Sequence, residues 1–119
     1  MNSTIAAITG RRGEDAAMEW LREHGYYIVE RNWRIGSYEI DIIAEHYDTL
    51  HFVEVKTRQW DGWQSAYDSI NDQKRRTLHR GAMAYMAMHR GVMRIQFDLI
   101  AVTVEKDDSL TIELTEEIL

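Results

Sequence analysis

Residues 36–58 read GSYEIDIIAEHYDTLHFVEVKTR. Two runs rich in isoleucine, valine and phenylalanine flank the polar tetrapeptide His46-Tyr47-Asp48-Thr49. β-Branched and aromatic residues favour strands, and a short polar insert between two such runs predicts a hairpin. With the loop at 46–49, Ile43 faces Phe52, Asp41 faces Glu54 and Glu39 faces Lys56. Side chains alternate along a strand. One face of the hairpin therefore carries Glu39, Asp41, Glu54 and Lys56. The other carries Ile40, Ile42, Ala44, Val53 and Val55, a core face.

Opposed carboxylates destabilise a strand pair, with Cβ atoms roughly 4.5–5.5 Å apart. A divalent cation shared by Asp41 and Glu54 would offset that repulsion, because hard cations take carboxylate oxygens. Lys56, two residues beyond Glu54 on the same face, would orient a nucleophilic water or stabilise charge on a phosphate. Glu39 opposes Lys56 and is expected to hold it. The same pattern also fits a solvent-exposed, salt-bridged hairpin face.

Outward from the hairpin, a first helix is expected from Arg11 to His24, with Gly25 as its stop. Residues 1–9 are expected to be a loose tail. Residues 26–31 read as a strand. After the hairpin come a loop at 59–68, a helix over 69–90, and strands at 93–104 and 110–114. Leu78, Ala82, Tyr85 and Met86 form the apolar stripe of the second helix. The order predicts a single α/β domain over 10–119: a mixed central sheet with an αβββαβ core and helices packed on it. In the first helix Glu14, Ala17, Met18 and Leu21 share a face. Glu14 then either joins the acidic site or is an exposed carboxylate stabilised at the helix start.

The chain has 119 residues, no cysteine and no proline. Disulfides, thiolate metal sites and cysteine nucleophiles are excluded. No secretory signal or membrane span is read, so a cytoplasmic protein is expected. The histidines at 24, 46, 51, 79 and 89 have no metal-ligand spacing. Gly10-x-x-Gly13 lacks the preceding strand a dinucleotide site needs. The net charge of −6 is unevenly spread. Residues 1–53 carry −4, residues 54–97 carry +4 and residues 98–119 carry −6. Binding depends on the local field, and the middle third is basic.

"EID" at 39–41 followed by "FVEVKTR" at 52–58 resembles the acid-x(n)-E-x-K signature of the PD-(D/E)XK nuclease-like superfamily. The chain is similar to the YraN-type family within it, also through "GEDAAMEWLREHGY" at 13–26, "RNWR" at 31–34, Lys74 and "RIQFDLIAV" at 94–102. The resemblance implies a restriction endonuclease-like fold. It implies Mg²⁺, with Mn²⁺ as substitute, held by Asp41, Glu54 and the Val55 carbonyl. It implies that Lys56 assists the attacking water and that Glu14 contributes from the first helix. One position departs from the pattern: Tyr38 stands where the family usually has glycine before the glutamate.

Other residues have two readings each. Lys74, Arg75, Arg76, His79 and Arg80 open the second helix and suit either phosphate contact or a solvated face. Lys74, which matches a family position, and Arg58, near the site by sequence, are the expected nucleic-acid contacts. Trp60 and Trp63 suit base stacking or, more simply, core or lid packing. Gln64 follows the E-x-K strand, and the resemblance, through relatives with a glutamine there, implies a place for it at the site. The methionines, four of them in residues 83–93, read as core fillers. The expected function is Mg²⁺-dependent phosphodiester hydrolysis on nucleic acid, DNA first, in branched or single-stranded form during repair or recombination. The expected partners are a second copy of the chain, for a two-fold substrate, and a helicase or other DNA-processing protein. The alternative is a nucleic-acid-binding or adaptor module that keeps the fold without catalysis.

Overall fold

The computed structural model describes residues 3–60, 70–89, 91 and 94–119, and of residues 3–8 the backbone alone. Trp63 and Gln64 lie outside the described residues. The elements are α1 (Ser3–Glu23), β1 (Tyr27–Ile35), β2 (Tyr38–His46), β3 (Thr49–Gln59), α2 (Asp72–Met88), β4 (Arg94–Val104) and β5 (Leu110–Thr115). The αβββαβ order expected from the hairpin is present, and β5 extends it.

The five strands form one sheet in the order β1-β2-β3-β4-β5. Only β3 and β4 run parallel. Their crossover carries α2, as a parallel connection requires. Each face of the sheet buries its own apolar cluster. On one side Ala17 and Leu21 of α1 meet Ile42, Ala44, Val53, Ile100 and Val102. On the other, Leu78, Ala82 and Tyr85 of α2 meet Ile40, Ile43, Phe52, Phe97 and Leu99.

Helix α1 begins eight residues before the expected start, so residues 3–9, expected as tail, are helical. It passes through Gly13, where the helix lies against Thr57 so closely that a Cβ would stand 1.7 Å from Thr57 Oγ1. Its end is as expected. Gly25 takes φ +86°. Gly25 N–H donates to Arg22 O at 3.1 Å and Tyr26 N–H to Leu21 O at 2.9 Å. This is the Schellman closure that glycine permits. Helix α2 starts at an Asn71 cap, whose Oδ1 accepts from Lys74 N–H at 2.8 Å. Met86 packs on the core, but Met83 and Met88 are exposed, contrary to the core role expected of them.

The hairpin register is the expected one as far as Ile42 and Val53, but the loop is shorter than 46–49: His46 and Thr49 belong to the strands, and Tyr47 and Asp48 make the turn. His46 pairs with Thr49, Ile43 with Phe52 and Ile42 with Val53. The ladder ends there. Beyond it β3 follows β4 to Gln59, while β2 stays with β1. The sheet forks at Asp41 and Glu54.

A second departure accompanies the fork. Ile42 sits in the α1 cluster but Ile40 in the α2 cluster. Residues two apart on a strand normally share a face. The paired strand does the same: Arg31 reaches α1, whereas Trp33 packs edge-on against Tyr85 of α2. Arg31 pairs with Ile42 and Trp33 with Ile40, which leaves Asn32 opposite Asp41. Asn32 has φ +51°, a left-handed conformation that asparagine tolerates and β-branched residues do not. Both strands therefore change face together at Asn32 and Asp41, and the expected placement of Ile40 beside Ile42 is corrected.

Candidate active site at the fork of the sheet

At the fork, Asp41 faces a strand whose backbone it no longer pairs. Its Oδ2 instead accepts the Val55 N–H at 2.8 Å, taking the place of a ladder carbonyl. That bond draws the carboxylate into the gap between β2 and β3. Glu54 projects on the α2 side, since it follows Phe52 at a spacing of two. There the Lys74 ammonium lies 3.0 Å from its Oε1. Glu14 approaches from the α1 side. It is one-fifth exposed, and Arg31 Nη2 stands 3.9 Å from its Oε2. Arg31 also holds Asp15. Because α1 starts at Ser3, Glu14 lies mid-helix, and stabilisation at the helix start does not account for it.

The electrostatics show concentrated negative charge. The Asp41 carboxyl is pushed up to about 7, first by burial and then by the Glu54 charge; Glu14 adds to this, while the Val55 N–H and Lys74 oppose it. Burial also raises Glu54 despite the adjacent Lys74. Burial works to lower Lys74, but Glu54, Asp41 and Glu39 together raise it. These are the marks of carboxylates held together short of positive charge.

Asp41, Glu54 and the Val55 carbonyl are all oxygen donors, and two of them are acidic, as Mg²⁺ or Mn²⁺ requires. Among the described residues no group of three or more histidine, aspartate and glutamate side chains converges to hold an ion. An ion here would take two carboxylates from the chain, and Mg²⁺ customarily completes its shell with water and substrate oxygens. The residues fit the group on that basis.

Lys56 lies beyond Glu54 on β3 and is exposed. The expected contact between Glu39 and Lys56 is not made. The fork separates β2 from β3 at that level, and Glu39 pairs instead with Arg34 across β1–β2, at 3.3 Å. Between α1 and β3 a cleft of about 290 Å³ is lined by Glu14, Lys56, Thr57 and Arg58 among others. Arg58 Nε donates to Thr103 Oγ1 at 3.4 Å. Its Nη1 is buried and finds no hydrogen-bond partner among the described residues.

Trp60 is 47% exposed, not packed in a core. The Lys106 ammonium lies 4.2 Å from its ring centre. The acidic C-terminal segment is tied to α1. Arg12 of α1 meets Asp108 in the β4–β5 turn at 2.9 Å. Tyr38, the residue replacing glycine, lies beneath α2, where Gly81 leaves room for its Cβ.

Sequence reasoning missed one buried polar pair. His51 Nδ1 and Asp98 Oδ2 are 2.6 Å apart, and both residues are almost fully buried. Asp98 Oδ1 also accepts from Gln96 Nε2 at 2.9 Å and Glu117 N–H at 3.0 Å. The available signal was an aspartate inside the apolar run FDLIAV, which demands a partner when buried.

Among the described residues no helix is long and apolar enough to cross a membrane. The model of the uncharacterised protein family UPF0102 matches residues 13–102. A UPF0102 protein of Nitratidesulfovibrio vulgaris (strain DP4) is 47% identical over 96 residues, covering 80% of this chain and 72% of that protein. A UPF0102 protein of Bacteroides thetaiotaomicron is 40% identical over 96 residues, covering 81% and 79%. Among solved structures, the chain is similar to Pyrococcus furiosus SfsA in complex with Ca²⁺ at TM-score 0.39 and 15% identity, spanning 93% of this chain and 63% of that one. The chain belongs to the UPF0102 family, the YraN-type family of the PD-(D/E)XK superfamily.

Proposed function

We propose that the chain is a Mg²⁺-dependent phosphodiesterase acting on DNA. The observation that carries this reading is the meeting of Asp41 and Glu54 at the fork, with lysines from two elements beside them. A bound Mg²⁺ would neutralise charge developing on the phosphate. Asp41, Glu54 and the Val55 carbonyl would hold it. Asp41 is fixed by the Val55 N–H, so its carboxylate is oriented before any ligand arrives. Lys56, exposed at the rim, positions the attacking water. Glu14 would add a further carboxylate from α1, where Arg31 stands beside it. Arg58, on the wall of the cleft between α1 and β3, and Lys74 supply positive charge to the substrate backbone.

In this reading the protein works in the cytoplasm, on branched or single-stranded DNA in repair or recombination. It dimerises where the substrate has two-fold symmetry, and a helicase or other DNA-processing protein delivers the substrate. The test is cleavage of branched, single-stranded and duplex DNA with Mg²⁺ or Mn²⁺ by wild type, Asp41→Ala and Lys56→Ala. Loss of cleavage in both variants supports the assignment; equal cleavage by all three removes it. The overall acidity, net −6, favours a second reading, a binding or adaptor module without catalysis. Tight, metal-independent DNA binding without turnover would select that one.

A further inference from the structure

The site at the fork already contains a cation of its own. The Lys74 ammonium lies 3.0 Å from Glu54 Oε1. Its backbone is fixed: Lys74 N–H donates to the Asn71 cap at 2.8 Å, so the first turn of α2 is anchored. Its side chain is not fixed in the same way, being 42% exposed against 13% for Glu54. The ammonium can leave by rotating outward while the helix stays in place. Lys56, by contrast, is exposed and makes no ion pair among the described residues.

A divalent ion bound by Asp41 and Glu54 would stand a few ångströms from this ammonium. Like charges at that range in a half-buried site repel strongly. The two cations therefore compete for one carboxylate pair.

We propose that Lys74 is the resident counter-ion of this site: it neutralises Glu54 in the metal-free protein, is displaced when Mg²⁺ or Mn²⁺ binds, and turns to a substrate phosphate. This rests on the two-carboxylate cation site proposed above. It makes metal and phosphate binding mutually reinforcing, because whatever draws Lys74 outward favours the metal, and the converse holds by linkage.

The experiment is Mn²⁺ titration followed by electron paramagnetic resonance. It uses mildly alkaline solution, where the carboxylates are ionised in every variant. Lys74→Gln is expected to bind Mn²⁺ tighter than wild type by about tenfold, the equivalent of one partly buried ion pair. Lys74→Arg keeps the competing charge and should bind as wild type does. Arg76→Gln, an exposed cation on the same turn, should leave the affinity unchanged. If Lys74→Gln folds poorly by circular dichroism, Lys74→Met keeps the aliphatic stem and takes its place. A non-cleavable phosphorothioate oligonucleotide should raise Mn²⁺ affinity more in wild type than in Lys74→Gln. Equal affinity in wild type and Lys74→Gln, an equal gain in Arg76→Gln, or an equal oligonucleotide effect overturns the proposal and leaves the cation site standing. No Mn²⁺ binding by wild type or any variant overturns both.

Discussion

Asn32 on β1 stands directly across from Asp41 on β2, at the one place where both strands change the face they present. Its φ of +51° supplies the local rotation. That rotation sends Trp33 and Ile40 to the α2 side while Arg31 and Ile42 stay with α1. Asp41 is left at the crossover point, free to reach Val55. Asn32 is thus a positioning residue for the acidic site, and RNWR acquires a physical meaning. Arg31 holds Glu14, Asn32 turns the ribbon, Trp33 packs on Tyr85, and Arg34 holds Glu39.

Substitution of Asn32 should therefore follow backbone tolerance. Asn32→Gly keeps the left-handed conformation and is expected to retain both stability and Mn²⁺ affinity. Asn32→Val forces a β-branched residue into that region, at a cost on the order of 1–3 kcal/mol. It should also weaken Mn²⁺ binding, which a loss of stability alone would not do at temperatures well below unfolding. Denaturant unfolding and Mn²⁺ titration of both variants check this.

The raised Asp41 carboxyl sets a pH dependence. Its folded value of about 7 lies above the ordinary 3.8. Between those values the folded protein holds a proton that the unfolded chain has lost. The associated stability is fully present below about pH 4 and is lost as pH rises through 7. Asp41→Asn removes this dependence. The variant should gain on wild type by on the order of 2–4 kcal/mol across that window, with no further gain above it. Urea unfolding at several pH values measures the difference. Mg²⁺ or Mn²⁺ should stabilise wild type but not the variant, by mass action on the folded state.

Gly13 sets how closely α1 approaches β3. A methyl there would meet Thr57 Oγ1 at 1.7 Å and Thr57 Cβ at 2.8 Å. Gly13→Ala is expected to lose about 1–3 kcal/mol, the range for overpacking. It should also move Glu14 away from the fork, since the two residues are adjacent. In a Thr57→Gly background the same change should cost markedly less. A double-mutant cycle by denaturant unfolding reads the difference.

The His51–Asp98 pair stabilises the fold. Asp98 takes three donors, from His51, Gln96 and the Glu117 backbone. Asp98→Ala leaves the buried His51 and the Glu117 amide without this acceptor, while Gln96 keeps Glu116, and should lose about 3–5 kcal/mol. It should also loosen the C-terminal segment, where Ile118 N–H donates to Phe97 O and Ile118 is buried. Faster hydrogen exchange at the Glu117 and Ile118 amides is the expected signature.

The sequence was informative where one local pattern had one structural solution. The register through Ile42 and Val53 followed from centring the turn on the polar stretch 46–49, and Gly25 marked a helix end. The fork and the change of face were not legible. β2 is covered on both faces, so Ile40 and Ile42 are apolar whichever way each points. The early start of α1 was hidden by Gly10, which lowers helix propensity. Gly13 is there for the contact with Thr57. The pairing of Lys74 with Glu54, and of His51 with Asp98, spans 20 and 47 positions along the chain. No local periodicity reports such contacts.

The central claim is that Asp41 and Glu54 jointly hold a hard cation at the fork of the sheet. The most direct measurement is a crystal structure soaked with Mn²⁺, with the ion located by its anomalous scattering. One ion is expected, bound by oxygens of both carboxylates at about 2.0–2.6 Å, the range of hard cations, with Lys74 turned away from Glu54. An ion bound elsewhere, or none in crystals where both side chains are ordered and ionised, would contradict it.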